Sequence, residues 1–327
     1  MKKRIIVDSY SNEFSTDQIM KYLVYLDADA ELTRINAFEL DDFGIRVENA
    51  GVDIKIGAGE KKLKLEELAF YFYRRGTLSI SGARLNKSAY AHGADNFFRN
   101  ELKVLKEYVY SELENRNSYG SWHADVNANK LIQLKQAVEV GMKIPSTLIT
   151  TSKEEMLKFQ EEYRQVIIKP IGDHIDIPIE AGCLEASGTQ QLSKQDILSF
   201  EDHFFPALLQ EKVEKSFEVR SYYFNQSIHS MAIFSQASEA TKLDFRNYDE
   251  GEKNRNVPYQ LSEEMETKVH ALMKRLRLDT GSLDFMFTSN NEIYFLEVNP
   301  TGQFGWVSEN CNYQLEKRIA EHVLWRR

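Results

Sequence analysis

A mixed α/β (α+β) architecture with more than one domain is the reading that this chain of 327 residues invites. Its length exceeds the span that one hydrophobic core usually serves. Period-two apolar runs and helix-spaced apolar residues both recur along it, marking strands and helices. They do not follow the strict βαβ alternation of a doubly wound sheet. Hydrophobic residues make up 42% and charged residues 28%, so each domain can bury a core of ordinary composition.

The elements follow in order. "RIIVDS" reads as a first strand. In "STDQIMKYLVYLDA", Ser15 or Thr16 can cap a helix whose apolar face is Ile19, Leu23, Val24 and Leu26. "ELTRINAFE" is the next strand, "GVDIKIG" with "KLKLEEL" an edge hairpin, and "LAFYFYRRG" a buried strand ending in two arginines. Phe97, Phe98, Leu102, Leu105, Val109 and Leu113 recur at helical spacing over Ala94 to Arg116. The polar stretch Glu114 to Asn129 is the first boundary. A helix "ANKLIQLKQAVEVG" stopped by Gly141, a strand in "KIPSTLITT" and a helix capped by Ser152 with Glu155 come next. "QVIIKP" is a buried strand, and "EAGCLEASGTQQLS" reads as a loop. The last third supplies "ALLQEKV", "FEVRSYYF", "SIHSMAIFSQ", a polar loop from Ser238 to Pro258, the helix "SEEMETKVHALMKRLRL", the strands "GSLDFMF" and "EIYFLEV", and a final helix.

The formal charge of −9 leaves no basic excess for phosphate neutralisation, so nucleic acid is not an expected partner. Cys183 and Cys311 fit no zinc spacing, and a reducing compartment is the simpler reading. No run approaches the roughly 18 apolar residues of a membrane helix. "MKKRIIVDSYSNEF" does not read as a signal peptide. Together these give the expectation of a cytoplasmic protein without a membrane partner.

The chemistry concentrates near the end of the chain. In "EIYFLEVNP", simple alternation puts Ile293, Phe295, Glu297 and Asn299 on one face. "GSLDFMF" places Asp284 opposite Leu283, Phe285 and Phe287. If the two strands pair, Asp284, Glu297 and Asn299 can converge as a hard oxygen set suited to magnesium. Edge-strand charges and a turn asparagine are the alternative. Lys169 ends an apolar strand where an unpaired ammonium would be costly, and a phosphate would satisfy it. Lys130 stands in the first turn of its helix, where a bound anion would offset its clash with the helix dipole. Glu218 and Arg220 share a strand face; Arg220 can grip phosphates or a carboxylate bidentately, or simply pair with Glu218. No GxxxxGK[ST] or GxGxxG follows a strand. Cys311 reads as a small buried residue, since nothing near it lowers a thiol pKa.

In this order, Lys130, Lys169 in "IIKP", the stretch "QEKVEKSFEVR", Asp284 in "SLDFMF" and "FLEVNPTGQF" resemble an ATP-grasp enzyme. The resemblance implies ATP with Mg2+ between a central domain (residues 118–206) and a C-terminal domain (207–327), after an N-terminal pre-ATP-grasp domain (1–117). It implies Lys130 and Lys169 on the phosphates, Gln210, Glu211, Lys212 and Val213 as the adenine hinge, and Glu218 near the ribose. Asp284, Glu297 and Asn299 would be the metal ligands. A narrower resemblance, carried by "STDQIMKYL", "RIN", "YRRG" and the tail "EVNPTGQFGWVSENCNYQLEKRIAEHVL", is to the peptide maturases of graspetides, in the grasp-with-spasm branch. Those enzymes bind the leader of a ribosomal precursor peptide and crosslink its core. They join Asp or Glu carboxylates to Ser or Thr hydroxyls as esters, or to Lys as amides. The family implies a homodimer. It also implies acceptor-binding residues near "DFRNYD" and "NRNVPY", where Arg246 and Arg255 would take the substrate carboxylate or acyl phosphate beside Lys169 and Arg220. Solvated loop charges are the other reading of both arginines. Two rival functions remain: an amide-forming amino-acid ligase of the glutathione-synthetase or glutamate-tailing type, and a non-catalytic ATP-binding protein. The roles of "STDQ" and of Arg74 and Arg75 do not follow from the sequence.

Overall fold

The computed structural model of the chain describes residues 3–36, 38–39, 42–49, 51–58, 61–79, 91–172, 175–179, 182–186, 188–235 and 254–325. The chain divides into two compact units. One comprises Met1–Ala128, Leu278–Gly281 and Pro300–Arg327; the other comprises Asn129–Arg277 and Ser282–Asn299. No helix among the described residues is long and apolar enough to cross a membrane.

The first unit is built on four parallel strands in the order Glu31–Asn36, Arg4–Ser9, Leu68–Tyr73 and Ser118–Tyr119. A parallel sheet is covered on both faces, which is why "IIV" and "LAFYFY" run apolar without alternating. Ile5, Ile6, Val7, Phe70, Tyr71 and Phe72 are all buried. Tyr71, Tyr73, Val109, Tyr110, Leu113 and Trp122 belong to one core cluster, with the Tyr110 and Trp122 rings stacked 4.5 Å apart. The expected hairpin gains a third strand, forming an antiparallel meander of Asp42–Glu48, Gly51–Ala58 and Lys61–Lys64.

Two expectations here are corrected. The helix Phe14–Leu26 is capped by Glu13, whose carboxylate accepts from the Thr16 amide at 2.5 Å; Ser15 and Thr16 lie buried inside the first turn. Its core face is Ile19 and Leu23, while Val24 is 56% exposed. Among the described residues of the helix Ala91–Glu114, those that reach the core lie in its C-terminal half, Val109, Tyr110 and Leu113. Phe97 and Phe98 stay exposed and pack on each other edge to face.

The second unit contains two main sheets. One has the order Thr147–Ser152, His203–Glu211, Val166–Lys169, Gln190–Leu192, with all neighbours antiparallel. Met156, Phe159, Val166, Leu192, Ile197 and Leu209 form its core. The Ser152 hydroxyl caps its helix alone, accepting from the Glu155 amide at 3.5 Å; the reciprocal capping box is at Ser193 and Asp196. The expected loop "EAGCLEASGTQQLS" is instead strand in two places. Gly182–Ala186 pairs with Ile175–Ile179, and Gln190–Leu192 joins the sheet edge. Cross-strand partners decide this, against a small, polar composition that reads as loop.

The other sheet has five strands in the order Arg255–Tyr259, Ser227–Phe234, Lys215–Phe224, Thr280–Thr288, Ile293–Asn299. Arg255–Tyr259 therefore corrects the expected Ser238–Pro258 loop at its C-terminal end; residues 236–253 lie outside the described residues.

At the end of the first strand, Asp8 is fully buried. Its Oδ2 accepts from the Tyr71 hydroxyl at 2.9 Å, while Oδ1 has no hydrogen-bond partner. A Cβ on Gly76 would stand 1.6 Å from that Oδ1, so residue 76 must be glycine for Asp8 to keep its place. Burial pushes the Asp8 carboxyl from 3.8 up to about 7. The folded state thus binds a proton more tightly than the unfolded chain, and stability declines as pH rises between those two values, then levels off. Asp8→Asn should abolish this decline, worth at most about 4 kcal/mol in all. Urea unfolding midpoints on either side of the window check it.

Candidate functional site

The site grows from the pairing of the last two strands of the five-stranded sheet. Asp284 stands opposite Glu297, and Ser282 opposite Asn299. Phe285 pairs with Phe295, so the register slips between Asp284 and Phe285 and leaves Leu296 as an extra residue, a β-bulge. Simple alternation would have kept Glu297 on the face of Phe295. The bulge instead sends Phe295 into the core against Phe285 and turns Glu297 and Asn299 to the face of Asp284. The expected shared face of Ile293, Phe295, Glu297 and Asn299 is thereby corrected, and the convergence of the three oxygen-bearing side chains is its consequence.

Ile293–Asn299 is the last strand of its sheet, and the helix Lys130–Glu139 packs against it. Gln133, buried, seals the backbone there: its amide donates to the Val298 carbonyl at 2.8 Å and its carbonyl accepts from the Val298 amide at 3.0 Å. Further along, the Phe295 amide donates to the Lys143 carbonyl at 2.8 Å. The helix is started by Asn129, whose side chain accepts from the Leu131 and Ile132 amides. That start puts Lys130 in the first turn, where its Nζ meets Glu297 Oε2 at 2.8 Å. Glu297 is the anion that offsets the unfavourable placement of Lys130 near the helix N-terminus.

Asp284 is gripped by Arg220, through Nε at 2.8 Å and Nη2 at 2.6 Å. Glu218, which the sequence offered as an alternative partner for Arg220, accepts instead from Lys215 at 2.7 Å, in a nearly buried pair, and from the Ser235 hydroxyl at 3.4 Å. Lys215 is a functional candidate that the sequence reading missed; its spacing of three residues before Glu218 was the only signal. Lys169 donates to the Gln210 side-chain carbonyl at 2.9 Å, and Gln210 passes the chain on to Thr147 at 2.9 Å. In the stretch expected to be the hinge, the Glu211 carboxylate accepts from the Ser146 amide at 2.9 Å. Lys212 donates to the Gln165 and Gln191 side chains, and Val213 lies in the break between strands. Arg255 lies over the Phe234 ring at 5.8 Å, and Arg246 lies outside the described residues.

Among the described residues no group of three or more His, Cys, Asp or Glu side chains could hold a metal. The set here is two carboxylates and one amide, all hard oxygens, which fits Mg2+ if phosphate and water oxygens complete its octahedron. Arg220 and Lys130 supply positive charge to the two carboxylates, as a divalent ion would. Burial raises the Cys311 pKa to about 11, as expected of a small buried residue.

In the first unit, "YRRG" has found its partners. Arg74, 3% exposed, donates to the Thr301 and Gly302 carbonyls at 2.7 and 3.0 Å. It also pairs with Glu13 at 3.4 Å and lies over the Phe304 ring. Arg75 donates through Nε to the Thr301 carbonyl at 2.9 Å. These arginines hold the "TGQF" loop that follows Asn299 in the chain.

No protein-family model and no curated protein matches the chain. Solved structures do. The RiPP-associated ATP-grasp ligase of Chryseobacterium gregarium, in complex with ADP and a leader and core peptide, is 24% identical with a TM-score of 0.86, covering 100% of this chain and 98% of that one. The macrocyclase MdnC of Microcystis aeruginosa MRC, bound with the precursor peptide MdnA, is 21% identical with a TM-score of 0.80, covering 98% and 99%. The ATP-grasp ligase PsnB, complexed with a phosphomimetic variant of a minimal precursor, Mg and ADP, is 17% identical with a TM-score of 0.72, covering 99% and 98%. The chain therefore has the ATP-grasp fold over its full length, as its motifs implied.

Gln133→Ala would leave the Val298 amide and carbonyl without their partner, and should cost about 2 kcal/mol of stability. Urea unfolding measures it; a loss too small to resolve would mean that the strand edge is sealed by other groups.

Proposed function

We propose that the protein is an ATP-dependent ligase that closes rings in a ribosomal precursor peptide. It would activate Asp or Glu side chains of the core and join them to Ser or Thr hydroxyls, or to Lys amines. The observation that carries this reading is the convergence of Asp284, Glu297 and Asn299 on one sheet face, in a chain whose full length matches ATP-grasp ligases bound to precursor peptides.

A carboxylate is a poor electrophile. Its oxygen attacks the γ-phosphorus of ATP, ADP leaves, and an acyl phosphate results. The hydroxyl or amine then attacks the acyl carbon, loses its proton, and phosphate leaves, so the peptide loses one water for each ring. Such transfer depends on positioning and charge neutralisation more than on a protein nucleophile. Mg2+ held by Asp284, Glu297 and Asn299 would neutralise the β- and γ-phosphate oxygens. Lys130 and Lys169 orient the phosphates, Gln210 to Val213 take the adenine, and Glu218 stands toward the ribose. Arg220 assists at the transferring group, while Arg246 and Arg255 receive the substrate carboxylate. On this reading the chain divides at residues 117 and 206 into pre-ATP-grasp, central and C-terminal domains. It works in the cytoplasm as a homodimer.

Intact-mass spectrometry tests the reaction on a small Ser/Thr- and Glu/Asp-bearing peptide encoded beside the gene, incubated with the protein and Mg-ATP. Loss of whole waters, reversed by mild base, is the result for esters; base-resistant loss indicates amides. An unchanged peptide, with ADP released only when free amino acids are added, overturns the proposal in favour of an amino-acid ligase. In the same assay Glu297→Gln should lower turnover by about 100-fold or more. Its melting temperature should hold, since the lost Lys130 pair is partly exposed.

A further inference from the structure

We propose that Arg75 is a binding residue for a carboxylate side chain of the peptide substrate, carried by the first unit. This rests on the peptide-ligase reading above and adds to it a residue outside the nucleotide machinery.

Arg74 and Arg75 are adjacent, yet they are used differently. Arg74 is buried, and both its Nη atoms are engaged within the protein. Arg75 is half-buried, and only its Nε is used, toward the carbonyl and hydroxyl of Thr301 at 2.9 and 3.3 Å. Its two Nη groups have no hydrogen-bond partner among the described residues. That leaves the outer edge of a guanidinium fork, oriented from behind by Thr301, which is the shape that receives a carboxylate bidentately.

The backbone supports the same conclusion. Arg75 has φ +64°, in the left-handed region where residues with a side chain are uncommon. Strain of this kind persists where the surroundings over-determine it, often at ligand sites. Arg75 follows the C-terminal end of the strand Leu68–Tyr73 in an all-parallel sheet, the edge at which open α/β sheets take their ligands. A nucleotide phosphate is the other anion of suitable chemistry. The lysines and the oxygen set proposed for the nucleotide all belong to the second unit, whereas Arg75 and Thr301 belong to the first. Thr301 follows Asn299 by two residues, so the loop that orients Arg75 continues the metal-binding strand.

The test uses Arg75→Gly, because glycine adopts this φ without strain and Arg74 keeps its own bond to the Thr301 carbonyl; the melting temperature is read alongside to separate lost binding from a loosened loop. Fluorescence anisotropy compares binding of the peptide encoded beside the gene with a copy whose core Asp and Glu are Asn and Gln; ADP binding is measured alongside. Wild type should prefer the acidic peptide, and Arg75→Gly should lose about tenfold or more of that affinity. Affinity for the amide copy and for ADP should not move. Equal weakening of both peptides, no weakening, or weakened ADP binding would each overturn the proposal. Binding is read without turnover. A wild type that prefers the acidic peptide but forms no rings would therefore sink the ligase reading while leaving Arg75 in its role.

Discussion

The cross-strand pair of Asp284 and Glu297 is the constraint on which the candidate site depends. Two carboxylates directly opposite on one sheet face repel each other and destabilise the sheet unless positive charge accompanies them. The protein meets that requirement twice over, with the Arg220 fork on Asp284 and Lys130 on Glu297. Everything around the pair serves to hold it in register. The bulge at Leu296 keeps Glu297 and Asn299 on the working face while Phe295 remains in the core. Gln133 fixes the strand edge at Val298, between those two side chains.

The same arrangement explains why cations collect here from two elements. Lys130 comes from a helix start and Arg220 from the neighbouring strand, while Lys169 belongs to the other sheet of the unit. Their present partners are the groups that a metal and phosphates would compete for. Lys130 and Arg220 neutralise carboxylates, and Lys169 rests on the neutral oxygen of Gln210. With Mg2+ on the two carboxylates and phosphate oxygens on Lys130 and Arg220, each of those four charges would remain compensated.

Much of this was legible in the sequence, and the limits have physical causes. The strands "RIIVDS", "LAFYFY" and "VIIK" are continuous apolar runs, so burial alone identifies them. The candidate oxygen set was recognisable from residue type, but the face it occupies was not, because a bulge adds a residue without leaving a signature in "YFLEVN". Arg220 was visible as a charged residue inside a strand, whereas its partner Asp284 lies 64 residues away and depends on strand order. The loop reading of "EAGCLEASGTQQLS" failed because its strand character comes from partners and not from its own residues. "YRRG" was conspicuous yet uninterpretable until Thr301 and Gly302, more than 200 residues later, supplied the carbonyls.

The central claim is that Asp284, Glu297 and Asn299 together hold the metal of a bound nucleotide. A crystal structure with Mg2+ and a non-hydrolysable ATP analogue tests it most directly. The account predicts Mg2+ at about 2.1 Å from an oxygen of each of the three side chains, with Lys130 released from Glu297 toward the phosphates. A metal held by phosphates and water alone, with Lys130 still on Glu297 and Arg220 still on Asp284, would contradict it.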